Sequence, residues 1–322
     1  MSQGILSAPI FHDADKAREW LEARVWKDGR SCPHCGVVDQ STLMKGKTTR
    51  PGLYQCNACR EPFTVTVGTL YERSKIPLNK WLAATYLMMA SKKGVSALQV
   101  GRMIGVSKKT AWFLCHRIRE SVKMGRRNML GGSGKIVEAD ETYYGPTKEI
   151  PTNRKTEGHR TSVKKGFGPS GKRPIIALVE RGGRVRSFHV PRADSVTVAK
   201  IVNENIDRES KLFTDESNLY RKVGPNFAAH ESVKHSADEY VRGEVHTNTI
   251  ENYFSVFKRG MRGIYQHCDE KHLHRYLAEF DYRYNNREAL GVDDAMRFEQ
   301  SIPGIVGKRL TYRRINQAHV QS

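Results

Sequence analysis

The chain has 322 residues, with 54 Lys and Arg against 34 Asp and Glu, so its formal net charge is +20. Its length allows two or three domains with a sizeable core, and a hydrophobic content of 38% argues against a disordered chain. The longest mainly apolar run, residues 81–90, is shorter than the roughly 20 residues of a membrane span, and the first residues lack the pattern of a signal peptide. The charge favours a polyanionic partner, most often nucleic acid.

Four of the six cysteines form two Cys-x-x-Cys pairs, which follow an N-terminal segment, residues 1–30, that we predict to contain a helix. Two such turns can place four thiolates around one ion in the tetrahedral geometry of structural zinc. The predicted ligands are Cys32, Cys35, Cys56 and Cys59. The alternatives are two disulfides, which are disfavoured without a secretion signal, or a redox motif, which needs only one pair.

Residues 31–70, which contain these cysteines, are predicted to form a zinc ribbon with short strands at 54–56 and 63–67. One Zn²⁺ there would be structural, because it replaces the core that some 40 residues cannot build. His34 could also be a ligand, but four cysteines already close the site.

Residues 71–130 carry 13 basic and 2 acidic side chains, which is more than half of the net charge. The pattern predicts an apolar helix, a short helix capped by Ser96, a turn at Gly105, and a further helix that is capped by Ser107 and runs to about Val122. A helix, a tight glycine-containing turn and a second helix are typical of the helix-turn-helix. We therefore predict a helix-turn-helix DNA-binding domain in this stretch.

The last of these helices begins with basic and polar residues, at the end where a recognition helix meets bases and phosphates. The predicted DNA contacts on it are Lys108, Lys109, Thr110, Arg117 and Arg119. The alternative is a basic helical hairpin that serves only as a spacer, but the caps, the turn and the charge favour DNA binding.

The segment 145–174 carries 8 basic and 2 acidic residues and is rich in Gly, Pro, Lys and Thr. This composition predicts a mobile basic loop inside a domain. Lys164 and Lys165 within it are predicted DNA contacts, on a loop that would become ordered when it binds.

Two short apolar strands are each predicted to end in an aspartate, Asp140 and Asp215. Between them the sequence predicts a hairpin, with strands at 174–180 and 184–191 joined by Arg-Gly-Gly. The two aspartates can lie side by side only if their strands are neighbours. Paired carboxylates repel each other unless a cation lies between them, so a divalent metal is their natural partner. Acids at strand ends are also common by chance, and the pattern alone leaves both interpretations open.

A third acid lies on a helix predicted over residues 247–260. Apolar residues recur there at the spacing of a buried stripe, namely Ile250, Phe254, Phe257 and Met261. Glu251 and Lys258 lie two turns apart on another face and point the same way. They could hold a metal and a substrate phosphate respectively, whereas an exposed polar face is the alternative.

Together these features resemble the DDE transposases of bacterial insertion sequences, in particular the group that combines an N-terminal zinc ribbon with a ribonuclease-H-like catalytic domain. The resemblance rests on Asp140, Asp215 and Glu251, with 35 residues between the last two, and on Lys258 seven residues after the glutamate. The phrases EADETYYG, TDES, HTNTIENYFSVFKR and YLAEFDYRYNNR also match that group.

The resemblance implies a multidomain α+β chain, in which the zinc ribbon and the helix-turn-helix precede an α/β ribonuclease-H-like catalytic domain at residues 131–290. Residues 291–322 would form a C-terminal tail. The implied partners are the terminal inverted repeats of the element and target DNA, bound by a homodimer, with no membrane. The implied location is cytoplasmic and nucleoid-associated.

The resemblance also implies a two-metal mechanism with Mg²⁺ or Mn²⁺. Asp140 would bridge both ions, Asp215 would bind one and Glu251 the other, while Lys258 would contact a phosphate near the scissile bond. Further DNA contacts near this site are predicted at His246, Asn248 and Arg259. The protein would then cut DNA at the end of the element and join the freed 3′-hydroxyl to target DNA.

Two other functions fit parts of the sequence. A non-enzymatic DNA-binding regulator would need only the zinc ribbon and the helix-turn-helix, and would leave the acidic residues without a role. A metal-dependent nuclease would use the acids to cut DNA without joining strands.

Overall fold

The described residues of the computed structural model are 4–123, 125, 128–146, 171–233 and 241–311. The chain divides into two compact units, the first formed by Met1–Lys123 with Arg287–Ser322 and the second by Met124–Asn286. Lys164 and Lys165, the predicted DNA contacts of the basic loop, lie outside the described residues.

The N-terminal part of the first unit combines one helix with a small antiparallel sheet. Its elements are α1 Ala14–Val25, β1 Ser41–Leu43, β2 Tyr54–Cys56 and β3 Pro62–Phe63, with the strands in the order β1-β2-β3. The helix predicted within residues 1–30 is α1. Asp13 caps its N-terminus, because the Asp13 side chain accepts from the N–H groups of Asp15 and Lys16. The strand predicted at 63–67 is shorter, because turns with N–H donation from Val67 to Thr64 and from Thr69 to Thr66 follow Phe63.

Three helices follow at the predicted positions: α2 Leu78–Ala90, α3 Ala97–Ile104 and α4 Lys108–Ser121. Ser96 caps α3 by accepting from the N–H of Gln99 at 3.2 Å, and Ser107 caps α4 by accepting from the N–H of Thr110 at 3.3 Å. Gly105 makes the turn between them with φ at +64°, a conformation that glycine adopts without strain. Among the described helices, none is both long and apolar enough to cross a membrane.

The C-terminal residues do not form the tail that we predicted from residue 291. Instead, α8 Asp294–Ser301 packs into the first unit. Phe298 is 2% exposed, and its ring lies 5.1 Å from that of Trp20 and 5.8 Å from that of Tyr86. Burial of this aromatic side chain stabilises α8. The short length and mixed composition of the segment did not indicate this contact.

The second unit is built on a five-stranded mixed sheet. Its strands are β4 Ile136–Pro146, β5 Lys172–Glu180, β6 Val185–His189, β7 Lys211–Asp215 and β8 Ala229–Val233. Their spatial order is β6-β5-β4-β7-β8, with β4, β5 and β6 antiparallel and β4, β7 and β8 parallel. This is the predicted α/β ribonuclease-H-like arrangement, with β4 at its centre.

Helices cover both faces of this sheet, which explains why β5 is apolar along most of its length. They are α5 Ser195–Asn205, α6 Asn248–Gly260 and α7 Leu273–Asn285. Ile176 and Leu178 belong to the cluster that contains residues of α5, while Ile175, Ala177 and Val179 belong to the cluster formed with α6 and α7. The predicted apolar stripe of α6 is buried in that second cluster.

Candidate active site

Asp140 and Asp215 lie next to each other on two neighbouring strands. Asp215 ends β7 as predicted, but the prediction that a strand ends at Asp140 is wrong, because antiparallel pairing with β5 continues β4 to Pro146. β4 and β7 are parallel, and Ala139 pairs with Thr214, so the residue after each of them is an aspartate at the same level of the sheet. The condition set by the sequence, that the two strands be neighbours, is therefore met. The central strand and its parallel partner fix the separation of the two carboxylates.

Glu141 is a third acid in this cluster. Carboxylate oxygens of Asp140, Glu141 and Asp215 all lie within 4.8 Å of one another. Glu141 accepts from the hydroxyl of Tyr220 at 3.0 Å and from Ser217 Oγ at 3.4 Å. Glu141 was not among the predicted site residues, and its only signal in the sequence is its position next to Asp140.

Burial and mutual repulsion dominate the electrostatics of this cluster. Burial raises the pKa of Asp140 well above its usual value, and the charges of Asp215, Glu141 and Glu251 raise it further. Burial, followed by the charge of Asp215, raises the pKa of Glu141 to about 7. A cation would offset both effects, and a set of carboxylate oxygens is the ligand type that Mg²⁺ and Mn²⁺ prefer. The residues therefore fit a divalent metal site.

Glu251 lies on the first turn of α6 and is outside the 4.8 Å group that the described residues form around Asp140. It is near enough for its charge to raise the pKa of Asp140. Thr247 Oγ1 donates to Glu251 Oε1 at 2.9 Å, which orients the carboxylate. Glu251, the third acid named in the sequence analysis, therefore lies near the aspartate pair. Glu141, which was not predicted, lies closer to that pair.

The other residues predicted near this site occupy different environments. Lys258 is partly buried, two turns along α6 from Glu251. Asn248 and Arg259 are exposed, and Arg259 Nε donates to the carbonyl of Ser255 at 3.2 Å. The ring of His246 is partly buried, with Nδ1 3.0 Å from an Arg181 nitrogen. DNA contact by these four residues stays a prediction.

The four predicted zinc ligands converge in the first unit. The sulfurs of Cys32 and Cys59 are 3.7 Å apart and those of Cys35 and Cys56 are 3.6 Å apart, and all four lie within 4.8 Å of one another. Tetrahedral zinc with Zn–S bonds of about 2.3 Å requires sulfurs about 3.8 Å apart. The N–H of Cys59 donates to Cys56 and lowers the pKa of that thiol to about 6, which favours the thiolate that binds metal. The geometry is that of a structural zinc site.

The predicted DNA contacts on α4 divide into exposed and buried residues. Lys108 and Lys109 are exposed and Thr110 is partly buried at the start of the helix. Arg117 and Arg119 are only 7% and 1% exposed, so the prediction that they contact DNA is wrong.

The prediction relied on the number of basic residues in α4. That number does not show whether an arginine side chain faces the solvent or the core. Arg117 donates to the carbonyl of Glu72 at 2.7 Å and lies 5.1 Å from the ring of Trp81. Its long side chain and planar head are suited to stacking inside a small helical core.

A ribonuclease-H-like sheet with paired aspartates and a zinc ribbon are the two features that the resemblance to transposases predicted. Residues 129–285 match the family model described as the ISXO2-like transposase domain, and residues 12–61 match the transposase zinc-ribbon domain. These two stretches of the chain therefore belong to a transposase catalytic-domain family and a transposase zinc-ribbon family.

Several known proteins are similar to this chain. A protein of the transposable element ISH50 of Halobacterium salinarum is 28% identical over 285 residues, covering 85% of this chain and 91% of that protein. A transposase-like protein of Haemophilus influenzae is 26% identical over 105 residues, covering 33% of this chain and 84% of that protein. Among solved structures, the Mos1 strand transfer complex aligns with 69% of this chain and 74% of that chain, at 13% identity and a TM-score of 0.27.

Proposed function

We propose that this chain is the DDE transposase of an insertion sequence, which binds the terminal inverted repeats of the element and catalyses metal-dependent DNA strand cleavage and strand transfer. The observation that supports this most strongly is the position of Asp140 and Asp215. They lie side by side on adjacent parallel strands, with the charges of Glu141 and Glu251 close by. The match of residues 129–285 to a transposase domain is in keeping with this chemistry.

The carboxylates of Asp140 and Asp215 would hold Mg²⁺ or Mn²⁺, with Glu251 and Glu141 as further oxygen ligands. Metal bound there would lower the pKa of a water and offset the charge of a leaving 3′ oxygen. Thr247 orients Glu251, and Tyr220 and Ser217 orient Glu141, so the chain presents its acids in a fixed arrangement. Lys258 would contact a phosphate next to the scissile bond.

DNA recognition would fall to the first unit and to the basic loop. The α3–turn–α4 segment would act as a helix-turn-helix, with Lys108, Lys109 and Thr110 at the DNA-facing end of α4. Lys164 and Lys165 would hold phosphates. Joining two element ends needs two active sites, so we propose a homodimer on DNA.

The proposal is tested with labelled DNA that carries the inverted repeats flanking the gene. Wild type is compared with Asp215→Asn, which can still accept from the N–H of Ser217 but lacks the charge. The matched control is Asp207→Asn, in the turn that precedes β7, where the side chain accepts from the N–H of Glu209 at 2.9 Å. We expect cleavage and joining by wild type and by the control in Mg²⁺, and neither by Asp215→Asn.

Two results would contradict the proposal in different ways. Cleavage without joining would favour the metal-dependent nuclease. Specific binding of the repeats without metal-dependent cleavage by wild type would favour the non-enzymatic regulator.

A further inference from the structure

Glu138 is a fully buried carboxylate two residues before Asp140 on β4, outside the acidic cluster of the described residues. Its Oε1 accepts from Arg181 Nε at 2.6 Å and from Thr249 Oγ1 at 2.9 Å. Its Oε2 accepts from the backbone N–H of Ile250 at 2.9 Å. Both oxygens therefore make hydrogen bonds, and two of the three donors belong to the first turn of α6.

The contact with Ile250 does what a helix cap normally does. The first N–H groups of a helix have no partner inside it, and the residue before the helix usually supplies the acceptor. Thr247 occupies that position in α6, but its side chain caps no N–H group. Its hydroxyl instead donates to Glu251 Oε1. Glu138 thus caps α6 from the central strand, and the hydroxyl of Thr247 is left to orient Glu251.

Arg181 gives Glu138 a counter-charge and ties the same region together. It lies in the turn after β5, where its own N–H donates to the carbonyl of Ile136 at 3.0 Å. Its guanidinium also donates to the carbonyls of Glu244 and His246, both at 2.8 Å. The segment that leads into α6 is therefore anchored to the strand that bears Asp140.

We propose that Glu138 is a positioning residue for the metal site. By capping α6 from β4, it fixes the first turn of that helix, and Glu251 with it, relative to Asp140 and Asp215. Residues two apart in a strand project from the same face, so Glu138 and Asp140 couple α6 to the acidic cluster through one short piece of backbone. This inference rests on the proposed function only in assigning metal binding to the cluster.

The test variant is Glu138→Gln in the full-length, zinc-loaded chain. The amide keeps the shape of the side chain, but one end becomes a donor that faces either the N–H of Ile250 or the guanidinium of Arg181. In a titration of the protein with Mn²⁺, we expect the concentration that half-saturates the acidic cluster to rise at least about tenfold. Loss of a group that orients metal ligands has an effect of this size in other metalloproteins. Hydrogen exchange at the Ile250 amide should accelerate, while Kd for the DNA repeats should stay within about twofold because the variant leaves phosphate contacts in place.

Glu279→Gln is the matched control for loss of a buried carboxylate. Glu279 is also 0% exposed, accepts from the hydroxyl of Tyr265 at 2.5 Å, and is paired with Arg283 on α7. We expect this control to lower thermal stability without changing the Mn²⁺ requirement. An equal rise in both variants, or no rise in Glu138→Gln, would overturn the proposal.

Two milder variants keep the proposal testable if Glu138→Gln does not fold. Thr249→Val removes one donor to Glu138, and Thr247→Val removes the donor to Glu251, each with little change in shape. We expect faster exchange at Ile250 in the first and weaker Mn²⁺ binding in both; normal binding in both would contradict the inference. A wild type that binds Mn²⁺ but cuts no DNA would overturn only the proposed function, because the titration and the exchange still decide the role of Glu138.

Discussion

At the residue scale, the carboxylates of the acidic cluster repel one another, and a bound divalent metal would offset this repulsion. Asp140 and Asp215 were predictable because each follows a short apolar run, and the parallel pairing of β4 and β7 places them side by side. The end of β4 was not, because its pairing with β5 continues it past Asp140 to Pro146. Glu141 was not, because neighbouring residues of a regular strand point to opposite faces. Its carboxylate nevertheless joins the cluster and accepts from Tyr220, a contact between segments that no local pattern reveals.

The raised pKa of Glu141 predicts how the metal-free protein responds to pH. In the unfolded chain this group has its ordinary pKa of 4.5, whereas in the folded chain its pKa is about 7 and the proton stays bound until that pH. The folded state therefore binds more protons in this window and loses stability as the pH rises through it. Glu141→Gln removes the ionisable group, so we expect this variant to be about 1 to 3 kcal/mol more stable than wild type near pH 8, with a difference below about 1 kcal/mol near pH 5.

Urea unfolding of the zinc-loaded protein without Mg²⁺, at both pH values, checks this expectation. Addition of Mg²⁺ at the higher pH should stabilise wild type, because bound metal offsets the charge that Glu141 acquires. A wild type more stable than Glu141→Gln at the higher pH without metal would contradict it.

At the element scale, local signals predicted the helices of the first unit well. Ser96 and Gly105 determine where α3 begins and ends, and Ser107 determines where α4 begins. Their contacts lie within four residues, so the sequence alone locates these positions. By contrast, α8 depends on the contact of Phe298 with Trp20, more than 270 positions away in the chain. The edge strand β8 likewise depends on its parallel pairing with β7.

The exposed and buried basic residues of α4 should differ in their effect on DNA binding. Each phosphate contact adds about 0.9 to the slope of log K against log salt. We expect Lys108→Ala with Lys109→Ala to reduce that slope by about 2. Arg117→Met should leave it unchanged while lowering the midpoint of thermal unfolding, because this arginine is a core residue. Affinities for DNA measured over a series of salt concentrations give the slope for each variant. A slope for Arg117→Met that falls as much as that of the double lysine variant would contradict the structural role of Arg117.

The zinc ribbon should depend on its metal, because its buried cluster is small. Cys32, Tyr54, Cys56 and Phe63 form that cluster. Cys56→Ser should lose bound zinc and the stability of this part of the chain. Cys268→Ser, whose sulfur lies in the second unit next to the carbonyl of Asp269, should keep its zinc. The measurement is the number of zinc ions bound per chain. A Cys56→Ser variant that binds as much zinc as wild type would show that the four thiolates do not form the site.

At the scale of the whole molecule, the net charge of +20 is unevenly distributed. Residues 71–130 carry most of the excess, although Arg117 and Arg119 within that stretch are buried. The second unit contains the acidic cluster, together with the basic segment 145–174. DNA binding and DNA chemistry would thus depend on different parts of the chain, the first sensitive to salt and the second to metal.

The central claim, that Asp140 and Asp215 hold the metal used in strand cleavage, is tested most directly by changing the ligand type. Asp215→Cys replaces a carboxylate by a thiolate, which a softer ion such as Mn²⁺ or Cd²⁺ accepts more readily than Mg²⁺. We expect this variant to cut the DNA repeats at least about 100-fold more slowly than wild type in Mg²⁺ and to recover at least about tenfold in the softer ion. The control Asp207→Cys should behave like wild type in both ions. Normal cleavage by Asp215→Cys in Mg²⁺, or the same metal preference in both variants, would contradict the claim.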